Sequence, residues 1–360
     1  MTGALAPTAL LAAIAVGSVA AAVSLRSAAW PRRSPAAAIV LWQAIGLGWG
    51  LAAVGALIEP AVVAYRSGAD GSLLSIARRL MAGRLTAGRH AVPALPGVLR
   101  IASFAAGAAL LVTLCSVLVM ALVAVLAARR RQRALLALLA HGDPRIPGTL
   151  VVDHPTAAAY CVPGLRSKIV VSAGALSLLD RAELAAVLAH ERAHLRERHD
   201  LVLIPFTALL RAFPRSQVAT ASHRAVSLLV EMLADDRARR QRPARELATA
   251  LLRFGVAGAG PAPSGALAVS GATPSPHQTA AASPEPTGAG QAPHANGGEP
   301  DATEDVAASA ARSVQRCDVG ARVSRLLEPA PGLSTAAMAA VLASAAVLVV
   351  APVALILLPT

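Results

Sequence analysis

Four stretches of the chain are predominantly apolar, and one long region between them alternates. Leu5 to Leu25, Ala36 to Ala64, Ile101 to Leu126 and Ala336 to Leu358 are each long enough to cross a bilayer as a helix. Ala134 to about Phe254 instead carries the periodicity of a water-facing domain. Within it, Thr149 to Asp153 and Lys168 to Ser172 predict two short strands around the Pro163-Gly164 turn. Asp180 followed by Glu183 is a capping-box signature and predicts a helix start. Leu201 to Leu210 is apolar but too short to span, with Pro205 inside it. It reads as buried core or as a face pressed into the bilayer. A further helical run covers Ala221 to Arg240. Gly255 to Val306 is low-complexity Gly, Ala, Pro, Ser and Thr, expected to be a disordered insertion.

The expected organisation is therefore three spanning helices in 1–133, a folded domain over 134–254, and the insertion over 255–306. A helical return segment at 307–333 and a fourth span at 334–360 complete it. The fold class is a mainly α integral membrane protein with four transmembrane helices and an inserted α+β domain. Gly46, Gly48 and Gly50 in the second span suit close helix–helix contact. Gln43 and Glu59 interrupt that span, and Glu59 is expected to reach the membrane interface.

The chemistry sits in the helix opened by Asp180. His190, Glu191 and His194 form H-E-x-x-H. Histidines at i and i+4 share one helical face about one turn apart, so both imidazoles can reach one metal ion. Glu191 lies beside that point, where it can act as a base toward water. Glu231 and Asp235, in E-M-L-A-D, repeat the i, i+4 spacing on the later run. A catalytic zinc site takes three protein ligands and keeps one position open. Glu231 can supply the third, and Asp235 can accept the free ring N–H of a liganding histidine. The site expectation is thus one Zn2+ on His190, His194 and Glu231, with Glu191 catalytic and Asp235 supporting.

H-E-x-x-H followed by E-x-x-A-D resembles the gluzincin peptidases of the M48 and M56 families. The surrounding text, Ala159 to Gly164, Lys168 to Leu176 and Glu183 to His194, is similar to the M56 membrane metallopeptidases, which include the bacterial β-lactam sensor-transducers. The resemblance implies a membrane zinc metalloendopeptidase in which His190, His194 and Glu231 are ligands and Glu191 is the acid/base. It implies a protein or peptide substrate, such as a cytoplasmic winged-helix repressor, or the peptidase itself, cleaved in signal transduction. It also implies that the strand Lys168 to Ser172 offers its edge to an extended peptide. The penicillin-binding sensor domain of that group is not expected, since nothing follows the fourth run. An M48-like quality-control protease fits the extended H-E-x-x-H-L-x-x-R-H as well, and a non-catalytic scaffold with a retained metal is a third reading.

Composition adjusts this picture in three ways. The chain of 360 residues is 55% hydrophobic with only 2% aromatics, too apolar for an ordinary soluble protein. The formal charge of +13 is nearly all arginine, Lys168 being the single lysine. These arginines flank apolar runs with no aromatic residues interleaved to stack bases, which favours a lipid surface over direct nucleic-acid contact. The dense group Arg129, Arg130, Arg131 and Arg133 after the third run puts the folded domain on the expected cytoplasmic side, and the Ala-, Gly-, Pro- and Arg-rich composition suggests a bacterial plasma membrane. Arg78, Arg79, Arg84 and Arg89, after the second run, pull the other way, and Leu73 to Leu85 could form a basic surface helix. Cys115, Cys161 and Cys317 are scattered and indicate neither a disulfide framework nor a thiolate site. His199 and Asp200 lie close to the motif, where a histidine could polarise a scissile carbonyl, but a surface position is the favoured expectation. His141, His154, His223, His277 and His294 lack ligand spacing, and Tyr160 is not assigned a role.

Overall fold

A computed structural model describes residues 6–66, 95–142, 146, 148–164, 167–257 and 317–357. The described chain is mainly helical. Helices α1 (Ala6–Ser27), α2 (Pro35–Arg66) and α3 (Leu95–Leu139) come first. Strands β1 (Ala140–Gly142), β2 (Thr149–Val152), β3 (Ala159–Val162) and β4 (Lys168–Ser172) follow. Then come α4 (Ala173–Leu178), α5 (Arg181–Glu197), α6 (His199–Ala212), α7 (Gln217–Ala238), α8 (Ala244–Val256), a helical segment α9 at 317–327, and α10 (Thr335–Leu357). The expected insertion falls, beyond residue 257, outside the described residues, as does the expected basic helix from Leu73 to Leu85.

The chain divides into two compact units. The first comprises Met1–Ala127, Arg198–Ala234 and Ala330–Thr360. Four helices are long and apolar enough to cross a membrane: Ala6–Ser27, Pro35–Val63, Val98–Leu139 and Thr335–Leu357. The protein is accordingly a membrane-integral one. In this unit α2 packs against both α1 and α10. The packing is tight at Gly48, where an added Cβ would stand 2.6 Å from the carbonyl oxygen of Leu348. Gly46 has nothing within 4 Å, so the glycine-rich stretch is used at one position more than as a stripe. Gln43 donates to the backbone carbonyl of Val202 at 2.8 Å, which fastens α6 to α2. Leu203, Ile204, Phe206 and Ala208 of α6 are buried, so the short apolar run is core of this unit.

Glu59 is 2% exposed and its Oε1 has no hydrogen-bond partner among the described residues.

The second unit comprises Ala128–Glu197 and Asp235–Pro329. Its sheet has the order β1-β2-β4-β3, with β2 and β4 parallel and both outer pairs antiparallel. Side chains alternate across the sheet. Ala159, Ile169 and Val171 pack on one face with α5, α8 and α9, through Val187, Leu251 and Val323 among others. Val162 and Val170 pack on the other face against Leu136 of α3, joined by Tyr160. Ser172 closes β4: its Oγ accepts the N–H of Ala175 at 3.1 Å to cap α4 and that of Ala158 at 2.8 Å. Gly174 is required next to it, because an added Cβ would lie 2.0 Å from the Pro155 carbonyl oxygen.

The sheet order corrects the expectation about β4. It has a strand on each side, so its backbone groups are already paired. The outer strands are β1 and β3, and β3 is the one that packs along α5. The sequence missed β3 because Ala-Tyr-Cys-Val is four residues long with no clear alternation.

Candidate metal centre

Helix α5 begins as a closed capping box. Asp180 Oδ1 accepts the N–H groups of Ala182 and Glu183, both at 2.8 Å, and Glu183 Oε2 accepts the N–H of Asp180 at 3.0 Å. Arg253 of α8 pairs with the same Glu183 oxygen at 2.8 Å. The helix start is thereby fixed against α8, and the apolar face Ala186, Val187, Ala189 and Ala193 is buried. His190, Glu191 and His194 are buried as well, at 3%, 5% and 4% exposure. Charged or polar side chains are seldom buried without a partner that compensates the lost hydration.

The two imidazoles converge. His190 Nε2 and His194 Nε2 are 3.0 Å apart, with the rings edge to face and their centroids 4.7 Å apart. Two nitrogens each ~2.05 Å from one tetrahedral ion would be separated by about 3.3 Å. The observed spacing is close to that. Glu231 lies on α7, and the ligand atoms of His190, His194 and Glu231 all fall within 4.8 Å of one another. Two neutral imidazoles and one carboxylate are a donor set zinc accepts. The residues present therefore fit a zinc ion.

Asp235 stands one turn after Glu231 on the same unbroken helix. Its Oδ1 lies 3.0 Å from His190 Nδ1, a close polar contact whose angle falls short of a straight hydrogen bond. An acceptor at Nδ1 favours the tautomer that leaves Nε2 free to bind metal. Asp235 is also held from behind. Arg322 Nε donates to Oδ2 at 2.8 Å and Arg322 Nη2 to Oδ1 at 2.7 Å. Burial works to raise the Asp235 pKa, but the Arg322 charge and hydrogen bonds, with His190, outweigh it and leave it at about 2. The sequence marks Arg322, with Arg325, as the inner flank of the last span and does not connect it to the site. Its only signal was R-V-S-R-L-L, two arginines three apart beside apolar residues.

The next pair repeats the pattern. Asp236 receives Arg325 Nη1 at 2.9 Å and Nη2 at 2.7 Å. Arg237 pairs with Glu197 at the end of α5. Just past the end of α7, Arg239 lies 3.5 Å from Asp236. The close bidentate partners come from α9 instead.

His199 and Asp200 are not at the surface. They are 2% and 6% exposed, because Arg198, the single non-glycine residue with positive φ among those described (φ 48°), turns the chain sharply into α6. Tyr160 faces away from α5, on the side of the sheet that meets Leu136, where Gln132 engages its phenol. An apolar cavity of about 230 Å³ lies in the bundle unit, lined by Trp42, Trp49, Phe206 and Phe213. None of the five site residues lines it.

The sequence profile described as Peptidase family M48 matches residues 126–234. No curated protein and no solved structure matches the chain. The matched segment holds H-E-x-x-H and Glu231 but ends one residue before Asp235. Members of that family are zinc metallopeptidases, and the chain is a zinc metallopeptidase. The match supports a membrane type of zinc peptidase and does not single out the M56 group.

Proposed function

We propose that this protein is a membrane zinc metalloendopeptidase holding one Zn2+ on His190, His194 and Glu231. The observation that carries this reading is the convergence of the two Nε2 atoms, 3.0 Å apart, with the Glu231 carboxylate in the same cluster. Zinc held there supplies a Lewis acid that polarises a peptide carbonyl and lowers the pKa of water toward ~7. Glu191, next to His190 and one turn before His194, takes the proton from the attacking water and passes it to the leaving amine. Asp235 holds the His190 tautomer. Strand β3, at the sheet edge along α5, is the strand beside which an extended substrate would lie. By the arginine group at 129–133 the site faces the cytoplasm.

Two substrate classes suit this site. One is a cytoplasmic regulator such as a winged-helix repressor, in keeping with the resemblance to M56 peptidases. The other is damaged membrane protein, which the M48 match fits equally. A metal-holding scaffold is less suited, because a structural zinc site fills all four positions and has no use for Glu191.

The test compares cells carrying wild type and Glu191→Ala by mapping new protein N-termini. Glu191→Ala is expected to keep zinc and abolish cleavage, and Glu231→Ala to lose zinc. Few Glu191-dependent cleavage sites, in one regulator, identify signalling; many sites across membrane proteins identify quality control. No difference between the strains rejects the protease role, and a Glu231→Ala protein with wild-type zinc affinity rejects the ligand set.

A further inference from the structure

We infer that Arg322, on α9, is a positioning residue for the metal centre, so that a helix lying outside the matched segment 126–234 completes the site. The inference rests on the reading of His190, His194 and Glu231 as zinc ligands.

The argument starts from Asp235 Oδ1. That one oxygen meets both His190 Nδ1, at 3.0 Å, and Arg322 Nη2, at 2.7 Å. The second carboxylate oxygen is taken by Arg322 Nε at 2.8 Å. A carboxylate gripped at both oxygens by a planar fork cannot rotate about its Cβ–Cγ bond, so the direction in which Oδ1 faces His190 is set by Arg322. Asp235 and Arg322 are 1% and 3% exposed, which leaves little room for water to take over either role. The order of contacts thus runs from Arg322 through Asp235 to His190 and its free Nε2.

The same pair of helices contains an internal control. Arg325 grips Asp236 with an equally good fork, at 2.9 and 2.7 Å, one residue further along α7 and one turn further along α9. These side chains are 15% and 18% exposed. Successive residues on a helix point about 100° apart, so Asp236 is turned away from the direction in which Asp235 meets His190. Both forks dock α9 on α7, but only the Arg322 fork ends on a carboxylate that touches a proposed ligand. If the arginines merely dock the helix, the two should be interchangeable in their effect on metal.

The experiment uses the full-length protein in detergent and measures zinc affinity by chelator competition. Absorption of the cobalt-substituted protein serves as a second readout. Wild type is expected to retain one zinc. Arg322→Lys, which keeps the charge but not the fork, is expected to bind zinc about 10- to 100-fold more weakly and to shift the cobalt bands. Arg325→Lys should stay within about twofold of wild type with unchanged bands. An Asp235→Asn/Arg322→Gln double variant removes both buried charges and guards against misfolding of a single variant. Folded, it should also bind zinc weakly. Wild-type affinity in Arg322→Lys or in the double variant overturns the inference, and so does an equal loss in Arg322→Lys and Arg325→Lys. A wild type that binds no zinc overturns the ligand reading and this inference with it.

Discussion

The two units of this chain are held together by different means. In the bundle unit, helices meet through small residues and apolar side chains: Gly48 lies under the Leu348 carbonyl, Gly107 against Ile58 and Leu57, and Gly55 against Ile356. Polar links between its helices include the bond from Gln43 to Val202 and that from Ser103 Oγ to the Leu57 carbonyl. The second unit has an apolar core of its own, yet it adds buried or part-buried charge at each helix that bears on the site. Glu183 meets Arg253, Asp235 meets Arg322, and Asp236 meets Arg325. Shape complementarity is enough to hold helices in lipid, where the surroundings are as apolar as the contacts. Fixing a histidine ring so that one nitrogen stays free requires directional bonds, and those require buried polar partners.

That contrast makes removal of a buried charge the most damaging change. Asp235→Ala leaves Arg322 without its bidentate acceptor, and breaking a buried pair from one side costs about 3–5 kcal/mol. Thermal unfolding of the purified protein should show that loss, together with zinc affinity lowered about 10- to 100-fold. A variant that unfolds like wild type would mean that Arg322 is satisfied without Asp235. Next come two glycines that each face a carbonyl oxygen, one in each unit. Gly174→Ala places a methyl 2.0 Å from Pro155 O, and Gly48→Ala places one 2.6 Å from Leu348 O. Overpacking costs about 1–3 kcal/mol. Gly174→Ala should fall at or beyond the upper end, because the loop 155–157 is fixed by β4 and α4. Gly48→Ala should fall at the lower end, since α10 can slide along α2. Equal costs, measured as chemical unfolding midpoints, would remove the distinction between the units.

The sequence made the bundle and the candidate ligands legible for related reasons. A spanning helix is written in predominant apolarity, which needs no knowledge of neighbours. H-E-x-x-H is written in helical spacing, and α5 delivers it. The i, i+4 relation of Glu231 and Asp235 is equally local. What stayed hidden depends on distant parts of the chain. Arg322 is 87 residues from Asp235, and nothing local distinguishes it from other arginines. The place of β4 inside the sheet depends on β3, whose four residues carry almost no pattern of their own. Glu59, His199 and Asp200 look like surface residues by type. Their burial follows from what packs over them, which periodicity along a single element does not record.

The smallest expected effect tests the bundle side of the comparison. Gln43 donates 2.8 Å to Val202 O, close to Pro205, whose missing N–H leaves the carbonyl of Leu201 without its usual helical donor. Interhelical side-chain bonds of this kind in membrane proteins average about 0.6 kcal/mol. Gln43→Leu should therefore lower stability by about that amount or less, since the leucine recovers apolar contact with the buried face of α6. Glu191-dependent cleavage and zinc content should remain at wild-type levels. A loss of 2 kcal/mol or more, on the order of a buried group left unsatisfied, would show that the bundle also relies on directional polar bonds. The division between a shape-held bundle and a charge-held second unit would then no longer stand.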